Sequence, residues 1–194
     1  LRVYTSRLIG QDSDLVMHGG GNTSFKLTRD DLFGTPTRFL HIKGSGWDLG
    51  SIEAPGLPAV RLEPLQQLRQ LDALSDEDMV NAQRCNLLDS SSPNPSVEAL
   101  LHAYLPHTYV DHTHATAFLA IADLTNVADV LKEIFGAKMA CVPYIMPGFG
   151  LAKVVADIFE AAPDVEGILL AKHGHIAFGD TARQSYDRII DQTN

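Results

Sequence analysis

Hydrophobic and polar positions along this chain change period several times, and each change marks an element. Thr23 to Leu27 alternates with the two-residue period of a strand, and Arg38 to Ile42 repeats the pattern. Leu65, Leu68, Leu71 and Leu74 then fall at helical spacing within Pro64 to Leu74. Ser75-Asp76-Glu77-Asp78 has the layout of a capping box opening a further helix. Asn94 followed by Pro95 predicts an N-cap with proline at the first helical position, and a helix running to Leu105. Thr108-Tyr109-Val110 is β-prone and leads into Asp111-His112-Thr113-His114. Helices are expected near 115–122, 127–135 and 151–161, with a strand from Met139 to Ile145 between the last two. Gly167 to Phe178 is expected as two strands meeting at the turn Lys172-His173-Gly174, with Asp180 capping a final helix. Residues 12–16 are expected to finish a short helix, and Gly19-Gly20-Gly21-Asn22 to form a loop. Interleaved strands and helices indicate an α/β chain in the broad sense. The hairpin-like ending favours a mixed or largely antiparallel sheet.

The chain has 194 residues, of which 45% are hydrophobic and 20% charged, enough for one domain with a real core. No repeat or low-complexity linker divides it, so residues 1–194 are taken as a single domain. The missing initiator Met and the ending Asp191-Gln192-Thr193-Asn194, inside an expected helix, suggest cuts at both ends of a longer protein. A net charge of −9 argues against a nucleic-acid-binding surface, though not against a local basic pocket. Two cysteines without a CxxC pair make a reducing cytosol the expected compartment. No apolar run reaches the roughly 18 residues of a membrane span.

The densest chemistry lies in the histidines. His112 and His114, two apart on an extended segment, point to the same face. With His173 they would form a tripod of neutral nitrogen donors, which suits a catalytic Zn²⁺ that keeps an open position. Glu98 lies in Pro95-Ser96-Val97-Glu98, just before that strand; it suits a helix start electrostatically, and beside a metal it could act as a general base at carbon. Gly19 to Ser24 runs from helix to strand, the wrong context for a P-loop, yet successive glycine N–H groups can cradle an anion. Lys43-Gly44-Ser45-Gly46 adds further N–H groups, a hydroxyl and an ammonium. His18, His41, His102, His107 and His175 lack such context and are read as structural or surface residues. Asp111 is the best candidate for a carboxylate supporting the histidines, although on a strand it should face away from them.

Taken together, Gly20-Gly21-Asn22-Thr23-Ser24, Lys43-Gly44-Ser45-Gly46, Pro95-Ser96-Val97-Glu98, His112-Thr113-His114 and Lys172-His173-Gly174 resemble the class II aldolase/adducin family in the same order and over nearly the whole chain. The wording is closest to the aldolase portion of bifunctional aldolase/short-chain dehydrogenase proteins and their shorter relatives, as in Gly44-Ser45-Gly46-Trp47-Asp48-Leu49 and Pro143-Tyr144-Ile145-Met146-Pro147-Gly148-Phe149. The resemblance implies a three-layer α/β/α sandwich on a mixed, mostly antiparallel sheet. It implies Zn²⁺, or another divalent transition metal, on His112, His114 and His173, with Glu98 as acid/base. It assigns substrate phosphate to Gly21, Asn22, Thr23, Gly44, Ser45 and Ser96, and the adjacent Lys43 adds a charge where sugar-phosphate aldolases commonly have none. The implied activity is cleavage of a phosphorylated ketose or similar hydroxy-ketone, leaving an enediolate and an aldehyde. The same parts would serve a dehydratase, decarboxylase or epimerase, although Glu98 stands where an epimerase is expected to have aspartate. A non-catalytic adducin-like module is the alternative from another class; the retained triad argues against it. A homotetramer with sites at its interfaces, and a fused or partner dehydrogenase domain, complete what the resemblance implies.

Overall fold

The computed structural model describes residues 1–194. Helix α1 (Arg2–Gly10) precedes a hairpin of β1 (Asn22–Asp30) and β2 (Pro36–Ile42), then β3 (Ala59–Arg61) and helices α2 (Leu62–Gln67), α3 (Asp76–Cys85) and α4 (Ala99–Tyr104). Strand β4 (Tyr109–Thr113) leads to α5 (Thr116–Ala122), α6 (Val127–Phe135), β5 (Met139–Val142) and α7 (Phe149–Ala161). The chain finishes with β6 (Gly167–Leu170), β7 (Gly174–Gly179) and α8 (Ala182–Thr193). The seven strands form one sheet in the order β3-β2-β1-β4-β7-β6-β5. Every pair is antiparallel except β5 with β6, so the sheet is mixed and mostly antiparallel, as expected.

Strand alternation explains the layers. Ile168, Leu170, Ile176 and Phe178 face one way and pack with Leu65, Met79, Leu100 and Val155 from α2, α3, α4 and α7. Leu169 and Ala177 face the other way and pack with Ile9, Phe118, Leu131 and Ile189 from α1, α5, α6 and α8. Two cores on opposite faces of one sheet make the α/β/α sandwich. No helix is long and apolar enough to cross a membrane.

Several boundaries differ from expectation, each for a local reason. Helix α1 ends at Gly10, and residues 12–16 form a turn. A side chain at Gly10 would lie 2.1 Å from the backbone nitrogen of Gly50, so only glycine fits where the two segments cross. The leucine-rich helix starts earlier, at Leu62, and tightens into a 3₁₀ turn over Leu68–Gln70 instead of reaching Leu74. The helix expected from Pro95 begins only at Ala99. Backbone groups at 94–96 are already used: Ser45 N donates to Asn94 O at 2.8 Å, and Ser96 N donates to Lys43 O at 3.0 Å. Strand β5 stops at Val142, before Pro143. The cap of α8 is Thr181, not Asp180: its hydroxyl accepts from Gln184 N at 3.1 Å, while Gln184 Oε1 accepts from Asp180 N at 2.9 Å. Ser75 caps α3 as expected.

Candidate active site

The start of β1, the end of β4, the β6–β7 turn and the start of α4 meet at one end of the sheet. His112 stands opposite Asn22 in the β1–β4 register and opposite Ile176 in the β4–β7 register. His114 follows on the same face, just beyond the strand. His173 arrives from the tight turn after β6, where Lys172 takes the left-handed conformation at φ 58°. Gly174 follows it, and a Cβ there would lie 2.9 Å from both His112 Cε1 and His114 Cδ2.

One ligand nitrogen from each of His112, His114 and His173 lies within 4.8 Å of the others. The Nε2 atoms of His112 and His114 are 3.1 Å apart. Nitrogens on a tetrahedral zinc at 2.0–2.1 Å would be about 3.3 Å apart, so the set fits a shared metal with small adjustments. The tautomers also fit. His112 Nδ1 lies 3.0 Å from the carbonyl of His175, so Nδ1 carries the proton and the Nε2 lone pair faces the cluster. Burial and the neighbouring His112 and His173 push His114 down to about 4, and burial with His112 lowers His173, so both are neutral donors.

Glu98 completes the group. It occupies the N-cap position of α4, is 8% exposed, and reaches His112 Nε2 at 3.4 Å and His173 Nε2 at 3.3 Å. Asn22 Nδ2 donates to its Oε2 at 2.6 Å. Burial raises the carboxyl pKa, but positive charge at His112 and His173, from a proton or a bound cation, together with the Asn22 amide outweighs it and holds Glu98 below the ordinary glutamate value.

The two expected anion loops lie side by side against the 94–96 segment. Lys43 Nζ donates to Gly19 O at 2.7 Å, Lys43 N donates to Thr23 O at 3.1 Å, and Gly44 bridges to Pro95. Gly21 has φ 64°, and a Cβ there would meet His112 O at 2.6 Å, so the loop crosses β4 closely enough to require glycine. Ser45 is exposed beside this junction. Ser96 Oγ accepts from Glu98 N at 3.3 Å, which ties it to the start of α4. The Thr23 side chain is not brought to the site. It points to the opposite face of β1, where its hydroxyl meets Ser6 Oγ at 2.7 Å.

Asp111 likewise faces the other layer. It pairs with Arg2 at 2.7 Å and accepts from Ser185 Oγ at 2.6 Å, which anchors β4 to α1 and α8. His175 is a core residue, stacked on Phe118 at 3.9 Å and bonded to Gln192 Oε1 at 2.7 Å. His102 is also fully buried. Asp48 was not singled out in the sequence. Its Oδ2 accepts from Gly19 N at 2.9 Å and its Oδ1 from Gly50 N at 2.7 Å, so it fixes the glycine loop. The Gly-x-Asp sequence Gly46-Trp47-Asp48 is the local sign of a turn there.

The Class II Aldolase and Adducin N-terminal domain model matches residues 2–192. This chain belongs to that family. An N-terminal Class II Aldolase domain of a conserved protein from Thermoplasma acidophilum is 42% identical, with a TM-score of 0.92 over 99% of this chain and 88% of that one. An uncharacterized oxidoreductase, YuxG, from Bacillus subtilis (strain 168) is 38% identical over 97% of this chain. The chain spans only 27% of that relative's length. A sugar-phosphate aldolase from Thermotoga maritima shares the fold at 16% identity, with a TM-score of 0.68 over 98% of this chain and 90% of that one.

Proposed function

We propose that this domain is a zinc-dependent aldehyde-lyase acting on a phosphorylated ketose or similar hydroxy-ketone. One observation carries the reading: three histidine nitrogens converge with a buried carboxylate 3.3–3.4 Å from two of them. The Thermotoga relative supports the substrate class through its description as a sugar-phosphate aldolase. Zinc held by His112, His114 and His173 would supply Lewis-acid stabilisation of the negative charge that develops on the substrate oxygens.

The remaining steps belong to the side chains. Lys43, the N–H of Gly21, and the Ser45 and Ser96 hydroxyls would hold the substrate's anionic group beside the histidines; the N–H groups of Gly44 and Ser45 already donate to Gly56 O and Asn94 O at 2.8 Å. Glu98 would return a proton to the substrate carbon after the C–C bond breaks, and would remove it in the synthetic direction. Its held-down pKa keeps it ionised as the base, and its burial excludes competing water. A homotetramer, and a dehydrogenase acting on the released aldehyde within a longer polypeptide, belong to the same proposal; the longer Bacillus relative described as an oxidoreductase supports the second part.

The test is purification without a histidine tag, zinc analysis, and a screen of ketose 1-phosphates for aldehyde release. Glu98→Gln should keep zinc and lose turnover by about 10²–10⁴-fold. Unchanged turnover would reduce Glu98 to a helix-start residue, and loss of zinc would make it a metal ligand. Absence of zinc binding, or of aldehyde release across the screen, would overturn the reading.

A further inference from the structure

Lys26, Thr28 and Arg38 share one face of the β1–β2 hairpin, away from the histidines. Lys26 and Thr28 are two apart on β1, and Arg38 stands opposite Thr28 in the register. Lys26 lies four residues beyond Asn22 on β1, about 13 Å along the strand. A polar cavity of about 280 Å³ opens here, lined by Lys26, Leu27, Thr28, Arg38, Pro106 and Thr108. An ammonium has three N–H donors. Lys26 spends two of them on Leu105 O at 2.8 Å and His107 O at 2.7 Å, which pins the end of α4 and the segment after it to β1. One donor remains, and the charge that acts on Lys26 is the positive one of Arg38, with no carboxylate opposing it. Arg38 approaches Glu63 through Nε at 3.6 Å, too long for a hydrogen bond, with both side chains about half exposed. That contact leaves the terminal nitrogens of the guanidinium to other partners. His102 and His107 are the further titratable groups against Lys26, and burial lowers the pKa of both, so neither supplies a counter-charge. Two cations therefore face one cavity with no acid between them. A buried positive charge without a partner is costly, and an anion in the cavity offsets that cost.

We propose that this cavity binds a tetrahedral oxyanion, either inorganic phosphate or the phosphate group of a small phosphomonoester, at a site separate from the cradle beside the histidines. The Arg38 fork donates to two of the anion's oxygens and the Lys26 ammonium meets it as a point charge. Lys26 and Arg38 sit diagonally across the strand pair, with Cβ atoms about 7–8 Å apart, a gap that one oxyanion bridges between two long side chains. Thr28 and Thr108 add hydroxyl donors. The net charge of −9 does not oppose this, because nearby charges inside a low-dielectric cleft dominate its field. A bound anion ties β1, β2 and the segment after α4 together, since each contributes a lining residue. The site is independent of the lyase activity proposed above.

The experiment uses sulfate as its first probe, because sulfate stays a dianion while the lysine titrates. The readout is the side-chain carbon resonance of Lys26, assigned through its backbone amide and titrated with sulfate and with sodium chloride at equal ionic strength. Without an anion, burial and the Arg38 charge lower the Lys26 pKa to about 7. Sulfate should raise it by about one unit or more, because a bound anion favours the charged form; by linkage the protonated site then binds sulfate at least about tenfold tighter than the neutral one. Arg38→Gln should weaken sulfate binding by about 10–100-fold, the loss of a hydrogen bond to a charged group, and remove most of the sulfate-dependent shift. Arg38 is about half exposed, so this variant keeps the fold. Removing Arg38 also raises the starting pKa, so the quantity compared is the shift that sulfate adds. Lys43→Ala should leave that shift intact. Glycerol 3-phosphate is then compared with inorganic phosphate: tighter binding of the ester assigns the site to a phosphomonoester, and equal or weaker binding assigns it to the free ion. A Lys26 titration that sulfate moves no further than sodium chloride does would overturn the proposal. So would a sulfate-dependent shift that Arg38→Gln keeps and Lys43→Ala loses, which would put the anion beside the histidines instead.

Discussion

Gly174→Ala probes the packing of the histidine cluster most directly. A Cβ at Gly174 would lie 2.5 Å from Thr113 O and 2.9 Å from His112 Cε1 and His114 Cδ2. The carbonyl has little freedom, because Thr113 is paired with His175 across the β4–β7 ladder. The strain must therefore move the start of β7, with His173 immediately before it, or tilt the two imidazoles. Either motion pulls the three nitrogens out of register. Overpacking of this kind costs about 1–3 kcal/mol. At about 2–4 °C per kcal/mol for a chain of this size, the melting temperature should fall by about 2–12 °C. Zinc affinity, read by competition with a chromophoric chelator, should fall by about 10–100-fold, as when groups supporting metal ligands are removed. Gly150→Ala is the control. It lies in the first turn of α7, where the nearest atom to an added Cβ is Ile145 Cγ2 at 3.9 Å. That substitution should leave zinc affinity unchanged and raise stability by about 0.4–1 kcal/mol. Wild-type zinc affinity in a folded Gly174→Ala protein would refute the claim that this glycine keeps the imidazoles in register.

The sheet and its helices were legible because their periods are clean. Ile168 to Leu170 and Gly174 to Phe178 read as strands meeting at a turn, and the HxH spacing alone places two imidazoles on one face. The errors arose where tertiary backbone bonds override local signals. Asn94-Pro95 has the form of a helix start, but its neighbours pair with Lys43 and Ser45, so the helix begins three residues beyond Ser96. β3 has only three residues and follows directly on Pro58, leaving too short a pattern to read. At the site, the residues brought together are largely those the motifs indicated. Their partners were not legible. Nothing local shows that Thr23 turns to Ser6, that Asp111 turns to Arg2, or that the Asn22 amide is bonded to Glu98, because each contact joins segments far apart in the chain.

Three further outcomes are expected. His112→Ala, His114→Ala and His173→Ala should each abolish stoichiometric zinc binding while the fold persists by circular dichroism; retained zinc in any one variant would remove that residue from the ligand set. Lys43→Ala should weaken competition by inorganic phosphate and raise the Michaelis constant for a phosphorylated substrate more than it lowers turnover, because a charge remote from the reacting carbon contributes mainly uniform binding. Lys26 gives a pH dependence that is separate from the histidine cluster. Its ammonium donates to Leu105 O at 2.8 Å and His107 O at 2.7 Å, and burial together with Arg38 lowers its pKa to about 7. The unfolded chain keeps this lysine protonated up to about pH 10.4. Between those values the unfolded state binds more protons than the folded one, so this residue makes stability rise with pH, with a slope of at most about 1.4 kcal/mol per unit. Below pH 7 both states are protonated and the contribution is flat, with the folded state bearing the full cost of a buried charge. Lys26→Met removes that cost but leaves the carbonyls of Leu105 and His107 without their donor. The variant's stability at any single pH is therefore a balance of two effects, whereas the slope reports the titration alone. Denaturant midpoints measured from pH 7 to 10 should show wild type gaining stability relative to Lys26→Met, and parallel profiles would refute a lowered pKa for this lysine.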